Sequence, residues 1–140
     1  MEFITDRVSS DVTAKNSKGK YRHTDLNRVE SNTATIANLL TAYGYPVIIT
    51  TTTDWEEIDI FDTVNGARYV GNINKCIEQF CAVPGVTLPS SLNGLTYIGA
   101  NNIEHVLQGL DAMIAALNNN FRYASDFHAG DNYGLRNYDI

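Results

Sequence analysis

A chain of 140 residues, 44% apolar and 19% charged, has the composition of one ordinary globular domain and needs no metal or disulfide staple to hold a core. A formal net charge of -6 excludes nucleic-acid binding of the usual kind, which draws on clustered Lys and Arg, and no stretch approaches the roughly 20 apolar residues of a membrane span. Low charge with eight Tyr favours contacts to other proteins, because few charges have to be desolvated on association.

Residues 1–20 are polar, with Gly19 and several Ser and Lys, and read as an N-terminal extended arm with one short ordered piece at Phe3 to Val12. Met1-Glu2-Phe3-Ile4 lacks the basic-then-apolar order of a signal peptide. The one basic cluster, Lys15, Lys18, Lys20 and Arg22 beside His23, reads as a solvated lead-in, with a contact to an acidic neighbouring subunit as the alternative.

Thr24 or Asp25 is placed to cap a first helix running to about Tyr43. Its apolar positions Leu26, Val29, Ile36, Leu39, Leu40 and Tyr43 share one helical face, with the small Thr33 in the middle of the seam. Gly44 and Pro46 stop it. The β-branched run Val47 to Thr53 predicts a short strand. Trp55, Ile58 and Phe61, three residues apart, are expected to plug into the core from the acidic stretch that follows.

A second helix is predicted from Asp62 or Thr63 to about Cys81, with Val70, Ile73, Ile77 and Phe80 inward. Cys76 and Cys81 on that helix point about 140° apart at about 100° per residue, too divergent for an easy bridge, and fit free thiols in a reducing cytoplasm. Pro84, Gly85 and Pro89 break the chain, and Leu92, Leu95 and Tyr97 anchor a connection. A third helix is predicted from about Ala100 to Leu117, with Ile103, Val106, Leu107, Leu110, Ile114 and Leu117 inward and Asn118-Asn119-Asn120 ending it. The expected fold is therefore mainly α: an arm over 1–20, a three-helix core over 21–120, and an irregular or β-forming C-terminal tail over 121–140 that pairs with the 47–53 strand.

No catalytic constellation stands out. Asp54, Glu56, Glu57, Asp59 and Asp62 form the one dense carboxylate group, but they lack the oxygen ladder and turn-making Gly of a calcium loop, and they read as a solvated face with charge at a helix N-terminus. His23, His105 and His128 are isolated, without metal-ligand spacing. No phosphate loop, Gly-x-Ser-x-Gly or Cys-x-x-Cys is present, so no catalytic residue, metal ligand or cofactor is assigned. The informative feature is an echo: Asn27-Arg28-Val29-Glu30 and Asn101-Asn102-Ile103-Glu104 each place an Asn ahead of a carboxylate, with a β-branched residue between, where a helix opens. Both read as packing units in which Asn and Glu cap backbone N–H groups of the first turn or bond across helices, and Arg28 bridges to a neighbouring carboxylate.

The run Tyr21-Arg22-His23-Thr24-Asp25-Leu26-Asn27-Arg28-Val29-Glu30, with Leu39-Leu40 and Tyr43-Gly44-Tyr45, resembles a module of phage and prophage tail-region proteins of Gram-positive bacteria. Thr53-Asp54-Trp55 with Asp59, Arg68-Tyr69 with Asn72-Ile73, Leu88-Pro89 with Leu95-Thr96-Tyr97, Ala100 to Glu104, and Phe121-Arg122-Tyr123 with Ala129-Gly130 match further segments in the same order. Phe61-Asp62-Thr63 departs from the Pro-Thr start that the family gives its second helix. The resemblance implies a non-enzymatic virion structural protein of the tail, baseplate or fibre-attachment region, assembled in the host cytoplasm. It would be an adaptor docking other tail or fibre subunits, with self-association as a second option and Lys15, Lys18, Lys20, Tyr123 and Tyr133 as partner contacts. Two other readings compete. One is a host-surface receptor module stacking cell-wall carbohydrate on Trp55, Tyr69, Tyr97, Tyr123 and Tyr133; the other is a cell-wall hydrolase using the carboxylate stretch.

Overall fold

The computed structural model describes residues 1–124, with side chains described through residue 119. Four helices follow in order: α1 (Ser9–Ala14), α2 (His23–Ala42), α3 (Thr63–Gln79) and α4 (Tyr97–Ala124). The protein is mainly helical, and α2 packs against both α3 and α4.

The three long helices share one pattern. Each is entered through an apolar residue, Tyr21, Phe61 or Leu95, followed by an N-cap position, Arg22, Asp62 or Thr96. Asp62 and Thr96 accept from the backbone N–H three residues on, at Asn65 (2.8 Å) and Gly99 (3.1 Å). At α2 the cap works in reverse, Asp25 reaching back to accept from the Arg22 N–H at 2.8 Å. Counted from the cap, the buried positions coincide: Leu26, Gly66 and Ala100; Val29, Tyr69 and Ile103; Glu30, Val70 and Glu104; Thr33, Ile73 and Leu107; Ile36, Cys76 and Leu110. Spacings of three and four keep these on one stripe per helix, and the stripes close on one another as a single core. Thr33 is accommodated there because its hydroxyl donates to the Val29 carbonyl at 2.7 Å.

Several expectations are corrected. Residues 1–20 are not an extended arm. Phe3 packs on the core, Arg7 is 4% exposed, and the short ordered piece expected at Phe3 to Val12 overlaps α1, which runs two residues further. The 47–53 run forms no strand, and no strand occurs among the described residues. Helical side chains take the place of a partner strand: Thr41 Oγ1 accepts from the Val47 N–H (3.1 Å), and Arg68 (2.9 Å) and Asn72 (2.7 Å) donate to the Thr50 carbonyl. Trp55 and Phe61 do pack on the core, ring against ring at 5.1 Å, but Ile58 is 85% exposed. Asp59 turns the chain there, its carboxylate taking the Glu56 N–H at 2.8 Å while its own N–H donates to the Glu56 carbonyl at 3.0 Å. Helix α3 stops at Gln79, which leaves Cys81 beyond it and exposed while Cys76 is buried; both thiols are free. Helix α4 starts at Tyr97 and runs through Asn118-Asn119-Asn120 to Ala124, past the expected boundary at 120. Gly44 does end α2 in a left-handed turn, at φ 91°. The rest of the C-terminal tail, from 125, lies outside the described residues.

Candidate functional site: two backbone clamps

The echoed Asn and Glu residues do not cap their helices. With α2 starting at His23 and α4 at Tyr97, Asn27, Glu30, Asn101 and Glu104 sit beyond the positions whose N–H groups need caps. Each pair instead grips a separate piece of chain. Asn27 Oδ1 accepts from the Trp55 N–H (2.7 Å) and its Nδ2 donates to the Trp55 carbonyl (2.9 Å). Asn101 does the same to Arg7, accepting from its N–H (3.1 Å) and donating to its carbonyl (2.9 Å).

One helical turn on, the glutamates repeat the match. Glu30 accepts from the Thr52 N–H at 3.1 Å and Glu104 from the Ile4 N–H at 3.0 Å, in each case three residues before the one its Asn holds. The gripped residue's own side chain returns to the same carboxylate. The Trp55 indole N–H donates to Glu30 at 2.6 Å, and the Arg7 guanidinium pairs with Glu104 at 3.0 Å. A guanidinium from another helix completes each set: Arg68 of α3 on Glu30, and Arg28 of α2 on both oxygens of Glu104 at 2.8 Å. The corresponding positions of α3 are Ala67 and Val70, with no clamp. The chain ahead of α4 is held by apolar contact through Val86, Leu88, Leu92 and Leu95.

Arg7 links the second clamp to the start of α2. It reaches Asp25 at 3.2 Å, the Ile4 carbonyl at 2.8 Å and the Lys18 carbonyl at 3.2 Å, with its guanidinium over the Tyr21 ring. Asp25 also takes Arg28 at 2.7 Å. Burial lowers the Arg28 guanidinium's pKa, and its bonds to Glu104 and Asp25 more than reverse this, holding it above its ordinary value. Tyr21 and Tyr69 share a short hydroxyl–hydroxyl contact beside this network. Burial pushes both phenols above their usual range, and the carboxylates nearby add to the effect.

Every buried side-chain N or O atom described has a partner. Glu30 (2% exposed) and Glu104 (0%) spend their oxygens on donors of the chain itself, so chemically the network neutralises charge and fixes two loops. Among the described residues no three His, Cys, Asp or Glu are grouped to hold a metal ion. No described helix is long and apolar enough to cross a membrane.

Asn27, Arg28, Glu30, Trp55, Asn101 and Glu104, singled out by sequence, are thus brought together as two clamps. Arg7 was missed, since nothing in Thr5-Asp6-Arg7-Val8 marks a buried cation. Lys18 pairs with Asp6 at 2.6 Å on the surface and lowers that carboxyl's pKa. Lys15 ends α1 in the left-handed region, and Lys20 is exposed. The Tyr123 side chain and all of Tyr133 lie outside the described residues. Of the rings suggested for sugar stacking, Tyr69 is 2% exposed and Trp55 is engaged by Glu30 and Phe61. Asp59 and Asp62 order a turn and a helix start. In comparisons with protein-family models, curated proteins and solved structures, nothing matches.

Proposed function

We propose that this chain is a non-enzymatic structural protein of a phage tail or baseplate, an adaptor that docks neighbouring tail or fibre subunits in the virion. The observation that carries the reading is the use to which its motif residues are put. Asp25, Asn27, Arg28, Glu30, Trp55, Arg68, Asn72, Asn101 and Glu104, nine of the residues on which the family resemblance rests, hold backbone or each other. A motif of that kind is the signature of a scaffold, and a scaffold of this kind leaves its surface for partners. Ile48, Ile58, Ile60 and Val64, 75% to 87% exposed, supply apolar contact area.

The test is the particle itself. Phage induced from a host carrying the gene are purified, and their tails are separated and analysed by mass spectrometry and antibody labelling. The chain is expected at a fixed stoichiometry in the tail fraction. Its absence from purified particles, or clearing of labelled peptidoglycan by the purified protein and not by a Glu56→Gln, Glu57→Gln variant, would refute the proposal.

A further inference from the structure

We infer that two copies of the chain associate through one self-complementary face, the turn at 56–60 of each seated in an apolar pocket of the other. Ile58 and Ile60 are 85% and 84% exposed at that turn. The turn is pre-shaped: Asp59 closes it on Glu56, and Trp55 and Phe61, in edge contact at 5.1 Å, fix its two ends to the core. An apolar knuckle already held in its bound shape loses little freedom on docking. Its flanks are acidic, with Glu56, Glu57 and Asp59 exposed and in no ion pair with a described residue.

The matching half lies beside it. A cavity of about 420 Å³ opens between the N-terminal segment and the start of α4, walled by Val12, Gly19, Tyr21, Leu95 and Ile98 with Lys18 at its side. Val12 and Ile98 are 45% and 55% exposed, so the apolar wall continues out to the surface. Lys15 and Lys20, adjacent in sequence to that wall, are exposed and pair with no described carboxylate. Tyr21 also lines a smaller groove in which Glu56, Glu57 and Asp59 lie with Arg22 and His23, so the acidic knuckle and the pocket with Lys18 at its side are neighbours across that ring.

That adjacency selects the geometry. In a two-fold interface the same patch meets itself, so each knuckle faces the other copy's pocket and both junctions form at once. The net charge of -6 opposes association at long range. At about 0.15 M salt that repulsion is screened beyond roughly 8 Å, while the pairs in contact are screened far less.

Sedimentation velocity on the full chain over a concentration series is the measurement. The native chain is expected to show a reversible monomer–dimer equilibrium. Ile58→Asp with Ile60→Asp should be monomeric with an unchanged helical circular dichroism melt. Two charge-reversed proteins, one with Glu56→Lys and Glu57→Lys and the other with Lys15→Glu and Lys20→Glu, should each be monomeric alone and form a mixed dimer together. A native chain that stays monomeric at every soluble concentration overturns the inference. So does an isoleucine variant that dimerises like the native chain, or a failure of the two charge-reversed proteins to combine. None of these results bears on whether the chain is found in tails.

Discussion

Glu104 is the side chain whose loss should cost the fold most. It is fully buried and answers two guanidiniums, Arg7 and Arg28, as well as the Ile4 N–H. Glu104→Gln keeps the shape and removes the charge, leaving Arg7 and Arg28 to share the single carboxylate of Asp25; breaking a buried pair in this way costs about 3–5 kcal/mol. Glu30→Gln should cost clearly less, because its one guanidinium, Arg68, is 22% exposed and keeps the Thr50 carbonyl. Urea unfolding of the two variants compares them directly, and equal losses would contradict the ranking. The buried acids that stay protonated predict an alkaline limit. Burial pushes the Cys76 thiol from 9.0 up to about 11, and burial also raises the Tyr21 and Tyr69 phenols above 10.0. Between each ordinary value and its raised one, the unfolded chain has released a proton that the folded chain keeps. Stability contributed by these groups is therefore complete below about pH 9 and falls as pH rises through that window. Urea midpoints should be flat in this respect from pH 7 to 9 and decline above, with Cys76→Ala delaying the decline. Disulfide exchange with a coloured aromatic reagent at pH 8 should titrate Cys81 fast and Cys76 only on unfolding.

At the scale of elements, the clamps are two independent devices with the same register, and they should fail independently. Asn27→Ala frees the Trp55 N–H and carbonyl; Asn101→Ala frees those of Arg7. Each removes two hydrogen bonds worth roughly 1 kcal/mol apiece and strands half-buried backbone groups, for a loss of about 2–3 kcal/mol. Hydrogen exchange separates them. Asn27→Ala should speed the Thr52 and Trp55 amides and leave Ile4 and Arg7 protected, and Asn101→Ala should do the reverse. A uniform rise in both variants would mean global loosening in place of local release. The Asn-to-Glu echo was legible in the sequence as a packing unit, but its target was not. A capping site and a loop clamp need the same residue types, and only the true helix starts, His23 and Tyr97, tell them apart. The 47–53 run shows the same limit. Its β-branched residues declare no preference between a partner strand and the side chains of α2 and α3 that bond it here. Helix α4 overran Asn118 because no Gly or Pro lies between Gly109 and Ala124, and Asn is only a mild obstacle inside a helix.

For the whole molecule, the three apolar stripes at helical spacing were enough to read a mainly α core, since each stripe can be hidden only against the others. The N-terminal segment was illegible for the opposite reason. Apart from Phe3, its hold on the body is polar: Asn101 and Glu104 on α4, Asn32 donating to the Glu2 carbonyl at 2.7 Å, and Asp25 on Arg7. Polar residues in a Ser- and Lys-rich stretch look like solvated chain until their partners are known. The difference between arm and core can be measured. If residues 1–20 were an arm, removing them would leave the thermal midpoint where it was. Because they bring the only guanidinium among the described residues that bonds both Asp25 and Glu104 from outside α2, their removal should destabilise by about 3 kcal/mol or more. In a domain of this size that is a fall of roughly 10 °C in the midpoint. The lost segment should also act as a ligand. A peptide of residues 1–20 added to the truncated chain binds only the folded form, so it should raise the midpoint with peptide concentration as mass action requires. The same peptide carrying Arg7→Ala should restore little. A truncated chain as stable as the full one, or rescue indifferent to Arg7, would return the segment to the status of an arm.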